Sequence, residues 1–325
     1  MKNKIAQMIL NSKEEFISGE EIANKLNISR TAVWKNIKTL KEQGYKIESV
    51  NKKGYRLSGQ PEDILNEISI SHNLDTEFMG QNIVDFETID STNDYAKKKA
   101  YEYKEGTVII SEEQTLGRGR LGRTWKSNAK EGIWMSILLK PNIQPYKAPF
   151  ITMIAGASLC EALVELGVEC YLKWPNDVIV NSKKIGGILT ELSAEIDAIN
   201  YVVLGIGINI KTDEFDEDIK HKATSLYKEG YEIKRVDIIR RFMVNFEKLY
   251  LCYIKENKKE STVDICKKYS CILDKEVYVC RDNNKELVKC IDINEDGDLV
   301  IQKQNGEIEE LISGEISIRG VDRYV

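Results

Sequence analysis

Between residues 117 and 124 the chain reads Gly117-Arg118-Gly119-Arg120-Leu121-Gly122-Arg123-Thr124, three glycines interleaved with three arginines. Guanidinium groups present forked donors that suit carboxylate and phosphate, and glycine lets backbone come close to a ligand. Three arginines this close repel one another unless an anion joins them. The segment satisfies the G-x-G-x-x-G pattern and nearly satisfies the P-loop, with Arg123 where the P-loop lysine would stand. Context excludes both. Each motif needs a helix to begin at the loop and aim its N-terminus at the phosphates, whereas residues 125–132 are short and polar and a strand follows. What remains is a basic, glycine-rich loop suited to an anionic ligand.

A second segment, Lys173-Trp174-Pro175-Asn176-Asp177, is followed seven residues later by Lys184-Ile185-Gly186-Gly187. Pro175 cannot donate a ladder hydrogen bond, so a strand must end or bulge there and leave Asn176 and Asp177 on an exposed turn. Lys184 then enters the return strand, and the paired glycines leave space above the sheet for a ligand. Only two histidines, His72 and His221, are present, in unrelated contexts. They argue against a multi-histidine metal site and against a Ser-His-Asp hydrolase. Seven cysteines form no C-x-x-C pair, so no metal site is expected from His or Cys, and the thiols read as reduced core residues. The chemistry must lean on Lys, Arg, backbone amides and carboxylates.

The elements that position these segments follow from hydrophobic periodicity. Residues 4–16 fit a short helix, and 20–26 and 31–43 fit two more, joined by Asn27-Ile28-Ser29 with Ser29 placed to cap the second. That is helix-turn-helix spacing, with Val33, Ile37 and Leu40 facing in and Arg30, Thr31, Lys35 and Lys38 facing out. Residues 45–50 and 54–57 alternate around Asn51-Lys52-Lys53 and read as a hairpin, the wing of a winged helix. Trp34 either packs against that wing or stacks on nucleic acid. The first 58 residues hold 12 Lys and Arg against six Asp and Glu, in a chain whose net charge is −5. A basic head on an acidic body suggests that the head meets a polyanion.

After a linker at Ser58-Gly59-Gln60-Pro61, strands are expected at 107–111, 133–139, 178–180, 188–192 and 201–210. Residues 151–167 read as an amphipathic helix lying on the sheet and 236–255 as a long helix. From about residue 271 the pattern turns to short strands at 276–280, 286–293, 298–302 and 315–319, a small β-barrel. The expected architecture is an α+β multidomain chain: a winged helix-turn-helix at 1–60, a mixed α/β domain at 61–270 and the barrel at 271–325. No apolar run approaches the roughly 20 residues of a membrane helix, and residues 1–10 lack a signal core, so a cytoplasmic protein is expected.

Taken together, Ser91-Thr92-Asn93, Gln114, the 117–122 loop, the 173–177 and 184–187 segments, Gly205-Ile206-Gly207-Ile208-Asn209 and Gly314-Glu315-Ile316-Ser317 resemble the biotin protein ligase family. With the N-terminal module included, the resemblance runs through essentially the whole chain and is to the bifunctional branch that also represses transcription. It implies an SH3-like final barrel and an ATP-dependent, AMP-forming ligase. Biotin and ATP, with Mg2+, would yield biotinyl-5'-AMP, and biotin would pass to a lysine of a biotin carboxyl carrier domain of a biotin-dependent carboxylase. The resemblance assigns catalysis to Arg118, Arg120 and Lys184. It places biotin against Ser91, Thr92, Asn93, Gln114, Arg118, Gly119, Arg120, Lys184 and Gly186. Nucleotide or magnesium contacts fall to Arg120, Arg123, Asn176, Asp177, Asn209 and Arg319, and operator DNA to Ser29, Arg30, Thr31, Trp34, Lys35 and Lys38. The resemblance further implies an arginine loop that is mobile until ligand orders it, and a homodimer promoted by the adenylate. Two rivals are a lipoate-type ligase and a non-catalytic ligand-sensing repressor. The arginine loop joined to Trp174-Pro175 favours the biotin branch over the first.

Overall fold

The structure is a computed structural model that describes residues 1–12, 15–42, 44–58, 63–281, 284–313, 316–321 and 324. Gly59, Gln60 and Pro61 of the expected linker, and Gly314 and Glu315, lie outside the described residues. The chain divides into two compact units, Met1–Leu74 and Asp75–Val325.

The first unit contains α1 (Lys2–Asn11), α2 (Gly19–Leu26), α3 (Arg30–Glu42), β1 (Ile47–Val50), β2 (Gly54–Leu57) and α4 (Glu67–Ser71). Helix α1 ends earlier than its periodicity suggests, because the Ser12 hydroxyl donates to the Ile9 carbonyl. Phe16 instead lies 4.6 Å beneath the Arg56 guanidinium. Asn27 adopts the left-handed conformation that closes α2, and Ser29 Oγ accepts from Ala32 N at 3.1 Å, capping α3. Ile5, Ile9, Ile22, Val33, Ile37 and Leu40 form the core, and Ile68 of α4 joins it. The wing β1-β2 is antiparallel with Val50 opposite Gly54.

The second unit begins with β3 (Ile83–Ile89), α5 (Thr92–Lys98), β4 (Val108–Gln114), β5 (Gly132–Leu139) and α6 (Pro149–Glu165). It continues through β6 (Tyr171–Lys173), β7 (Asp177–Val180), β8 (Lys183–Ala194), β9 (Ile199–Asn209), α7 (Arg235–Glu256) and α8 (Glu260–Tyr269). The strands make a seven-stranded sheet ordered β3-β4-β5-β9-β8-β7-β6, in which only β3 and β4 run parallel. The last five strands, β10 (Glu276–Arg281), β11 (Asn284–Ile293), β12 (Leu299–Lys303), β13 (Ile308–Leu311) and β14 (Ser317–Gly320), form an antiparallel sheet ordered β13-β12-β11-β10-β14. The cis Trp174–Pro175 turn is tied to this sheet by Trp174 Nε1, which donates to Gly297 O at 2.9 Å.

Helix α6 departs from expectation. It is not amphipathic: residues are buried on every face, because the sheet covers one side and α7 and α8 cover the other. The stretch Pro145–Glu165 is long and apolar enough to cross a membrane by length and composition, contrary to the sequence reading, but 78% of its apolar window is buried inside the fold. Its apolar character is that of a core helix.

Candidate ligase site

A cavity of about 1110 Å3 opens where the arginine loop, the ends of β4, β7, β8 and β9, residues 212–223 and the β14 segment converge. Among its lining residues, nine are Lys or Arg and three are Asp or Glu, the reverse of the acidic balance of the chain. Such a surface draws anions. Two glycines shape the floor. A Cβ at Gly207 would come within 2.7 Å of the Trp125 indole, and one at Gly187 within 3.0 Å of Lys184 Nζ, so larger residues would displace both side chains.

At one end, α5 begins with Ser91 as its cap, accepting from Asp94 N at 3.3 Å. Gln114, at the end of β4, accepts from Thr92 N (2.9 Å) and Thr92 Oγ1 (3.0 Å) and donates to Ser127 Oγ (2.9 Å). Ser136 Oγ shares its proton between Thr92 Oγ1 at 2.7 Å and Asn93 Oδ1 at 2.5 Å. Asn93 Nδ2 donates to Glu191 Oε2 at 2.7 Å. Ser91, Thr92, Asn93 and Gln114 thus share one wall, and the Asn93 amide is engaged at both its oxygen and its nitrogen.

The arginine loop folds as a tight hairpin. Gly119 N donates to Arg123 O at 2.7 Å, and Leu121 and Gly122 both have positive φ (56° and 71°), a conformation open to Gly122 but strained for Leu121. Arg118 pairs with Asp94 at 2.9 Å. Arg120 Nη1 donates to Asn176 Oδ1 at 2.9 Å and Nη2 to Ile316 O at 3.4 Å, and Asn176 Nδ2 donates to Ile188 O at 2.9 Å. Burial disfavours the Arg120 charge, Asp177 favours it and Arg123 opposes it, with a net shift down. Lys184 Nζ lies 2.5 Å from Asp177 Oδ1 in an ion pair, without regular hydrogen-bond geometry, and 5.2 Å from the centre of the Trp125 ring. Asn209 and Arg319 line the same cavity, with Asn209 Nδ2 donating to Thr224 O at 3.2 Å.

Gly187 lines the cavity, whereas Gly186 is buried beside it, where a Cβ would come within 3.0 Å of Gly207 O. Asp177 lines the cavity, where its Oδ2 accepts from the Tyr324 hydroxyl at 2.5 Å and its Oδ1 faces Lys184. Sequence reasoning gave no role to Lys173, Trp125 or Tyr324, all of which line the cavity. Lys173 is 3% exposed and donates to Tyr324 O at 2.7 Å, and its ammonium sits 3.5 Å from the centre of that residue's ring. Burial pushes its pKa down to about 8, with Asp177 and Cys271 opposing and Lys184 and Arg319 adding to the fall. The lysine was visible in the motif; its burial was not.

In the first unit, the outward face of α3 carries Arg30, Thr31, Trp34, Lys35 and Lys38, all exposed. Trp34 is 55% exposed, so it is not packed away beneath the wing. Ser29 has its hydroxyl engaged as the helix cap, and Arg30 pairs with Glu20 at 2.5 Å.

The Biotin/lipoate A/B protein ligase family model matches residues 86–209, an HTH domain model residues 2–56, and a Biotin protein ligase C terminal domain model residues 272–319. The bifunctional ligase/repressor BirA of Bacillus spizizenii is 35% identical over 323 residues, 98% of each chain. The chain belongs to the BirA family of bifunctional ligase/repressors. BirA of Escherichia coli is 28% identical over 311 residues, 95% of each chain. The solved biotin protein ligase from Aquifex aeolicus in complex with biotin and ATP matches at a TM-score of 0.65 and 31% identity, covering 74% of this chain and 100% of that one. The BirA matches extend across nearly the full chain, so the helix-turn-helix unit belongs to the shared architecture.

Proposed function

We propose that this chain forms biotinyl-5'-AMP from biotin and ATP, transfers biotin to a lysine of a biotin carboxyl carrier domain, and as an adenylate-bound homodimer represses transcription at operator DNA in the cytoplasm. The observation that carries the ligase reading is the joining of two unlike walls in one cavity. One is a polar wall of Ser91, Thr92, Asn93 and Gln114; the other is cationic, with Arg118, Arg120, Arg123 and Lys184. A carboxylate attacking the α-phosphate brings two anions together, so the site must neutralise charge and hold both groups in line. Lys184 meets the carboxylate and α-phosphate, Arg118 and Arg120 close over the adenylate, and Arg123, Asn176, Asn209 and Arg319 meet the nucleotide. Asp177 orients Lys184. Mg2+ bound with the triphosphate would neutralise phosphate charge; among the described residues no three His, Cys, Asp or Glu side chains converge to hold it without the nucleotide. No covalent enzyme intermediate is needed, since the acceptor lysine attacks the mixed anhydride and AMP leaves.

The test is incubation of the full chain with ATP, a carrier domain and either biotin or lipoate. Biotin transfer with AMP release supports the reading; lipoate transfer moves the chain to the lipoate branch, and no transfer leaves a ligand-sensing repressor. For the repressor half, one winged helix covers a single half-site, so tight specific binding calls for two modules at fixed spacing. Titration on the promoter of its own operon should show tighter binding with biotin plus ATP. Lys38→Ala should weaken binding and flatten its salt dependence by about one counterion. Identical titration curves with and without the substrates would separate the DNA-binding unit from the ligase reaction.

A further inference from the structure

Tyr324 stands 147 residues from Asp177 in sequence, yet its hydroxyl donates to Asp177 Oδ2 at 2.5 Å. The other oxygen of that carboxylate faces Lys184 Nζ at 2.5 Å, so one carboxylate links the tyrosine to the lysine. The tyrosine is anchored independently of its hydroxyl: its carbonyl accepts from Lys173 Nζ at 2.7 Å and from Gly320 N at 3.4 Å, and the Lys173 ammonium sits over its ring. A phenol held in this way is a fixed donor rather than a passing contact. Burial and the Asp177 carboxylate push its pKa up, with Arg123 opposing, so it stays protonated and able to donate.

We infer that Tyr324 is a positioning residue for adenylation, holding the Asp177 carboxylate in the one orientation that presents Lys184 to the reacting carboxylate and α-phosphate. The inference rests on the role given to Lys184 above. Without the hydroxyl, Asp177 can rotate and draw Lys184 out of line. The loss falls on turnover, because the Lys173 contacts to the ring and carbonyl of residue 324 survive and the binding surface for ATP is otherwise kept.

The test compares adenylate formation by the full wild-type chain, Tyr324→Phe, Asp177→Asn, the double variant and Lys184→Ala, read as pyrophosphate release over a range of ATP and biotin. Tyr324→Phe keeps ring and backbone and should lower kcat about tenfold, the effect of one hydrogen bond to a charged group, with both KM values within about twofold. In the Asp177→Asn background the same change should have little further effect, since the tyrosine acts through that carboxylate. An unchanged kcat in Tyr324→Phe, or effects of Tyr324→Phe and Asp177→Asn that multiply independently, would overturn the inference. A lowered KM for ATP with kcat unchanged would overturn it too, and would make Tyr324 a competitor of the nucleotide. If Lys184→Ala runs at the normal rate, the assignment of Lys184 falls and this inference with it; a slow Lys184→Ala beside a normal Tyr324→Phe removes only the tyrosine.

Discussion

Where Thr92, Gln114, Ser127 and Ser136 meet, each polar side chain is bonded to another protein group, and the groups come from α5, β4, β5 and the loop after the arginines. At the other end, Arg120, Arg123, Lys173, Lys184 and Arg319 crowd around Asp177, and their order depends on contacts with Ile316 and Tyr324 near the end of the chain. The first end is complete before any ligand enters. The second carries surplus positive charge that an anion would relieve. A ligand at the first end should be recognised by a fixed template, whereas one at the second should complete the site. That difference fits a small neutral ring system at one end and a polyphosphate at the other.

The largest effect expected from breaking the second end is at Arg120, whose guanidinium bridges the loop to Asn176 and to the Ile316 carbonyl. Arg120→Gly removes both ties and the charge over the adenylate. Biotinyl-adenylate should escape roughly 10- to 100-fold faster, the loss of two charge-assisted hydrogen bonds, and should label unintended lysines in a mixture of proteins. Unaltered adenylate dissociation would leave the loop without its proposed retaining role.

A smaller effect is expected at Lys173, and its sign follows from its lowered pKa of about 8. The ammonium is charged below about pH 8 and available to a polyphosphate. As pH rises through that value the free site loses the charge, so ATP binding must weaken. KM for ATP in the wild type should therefore climb above pH 8, by about tenfold in all, the worth of the charge that is lost. Lys173→Met should raise KM for ATP about tenfold at pH 7, the worth of one charge-assisted contact, and should remove the climb. A wild-type KM that stays flat from pH 7 to 9.5 would show that this lysine does not meet the nucleotide.

Much of this was legible in the sequence. The arginine-glycine loop and the Lys173 to Asp177 segment declare their chemistry through residue types and short spacings, and strands β5 and β9 through continuous apolar runs. What was hidden depends on long-range packing. Helix α6 carries apolar and small residues all round, and no local pattern says that α7 and α8 cover its second face. Strand β13 has the sequence Ile308-Glu309-Glu310-Leu311 with only Leu311 buried, so an edge strand looks like a charged loop. Tyr324 lies in no motif; it becomes a site residue only because β14 returns the chain to the cavity.

The smallest effect, and the sharpest probe of the contrast between the two ends, is expected at Ser136. Its hydroxyl lies between Thr92 Oγ1 and Asn93 Oδ1, with no exposure to solvent. Ser136→Ala leaves both acceptors short of a donor in a buried place, which costs about 1 to 3 kcal/mol and lowers Tm by roughly 2 to 9 °C for a unit of this size. The Thr92–Gln114 contact then loses a brace, so the polar wall loosens where the biotin ring system is proposed to sit. KM for biotin should rise roughly threefold to tenfold, while KM for ATP stays within about twofold, because no bond made by Ser136 reaches Arg120, Lys173 or Asp177. Steady-state measurements of both constants on the same preparation check this. Equal increases in the two would mean that the ends are coupled through the sheet, and that the first end is no more complete than the second.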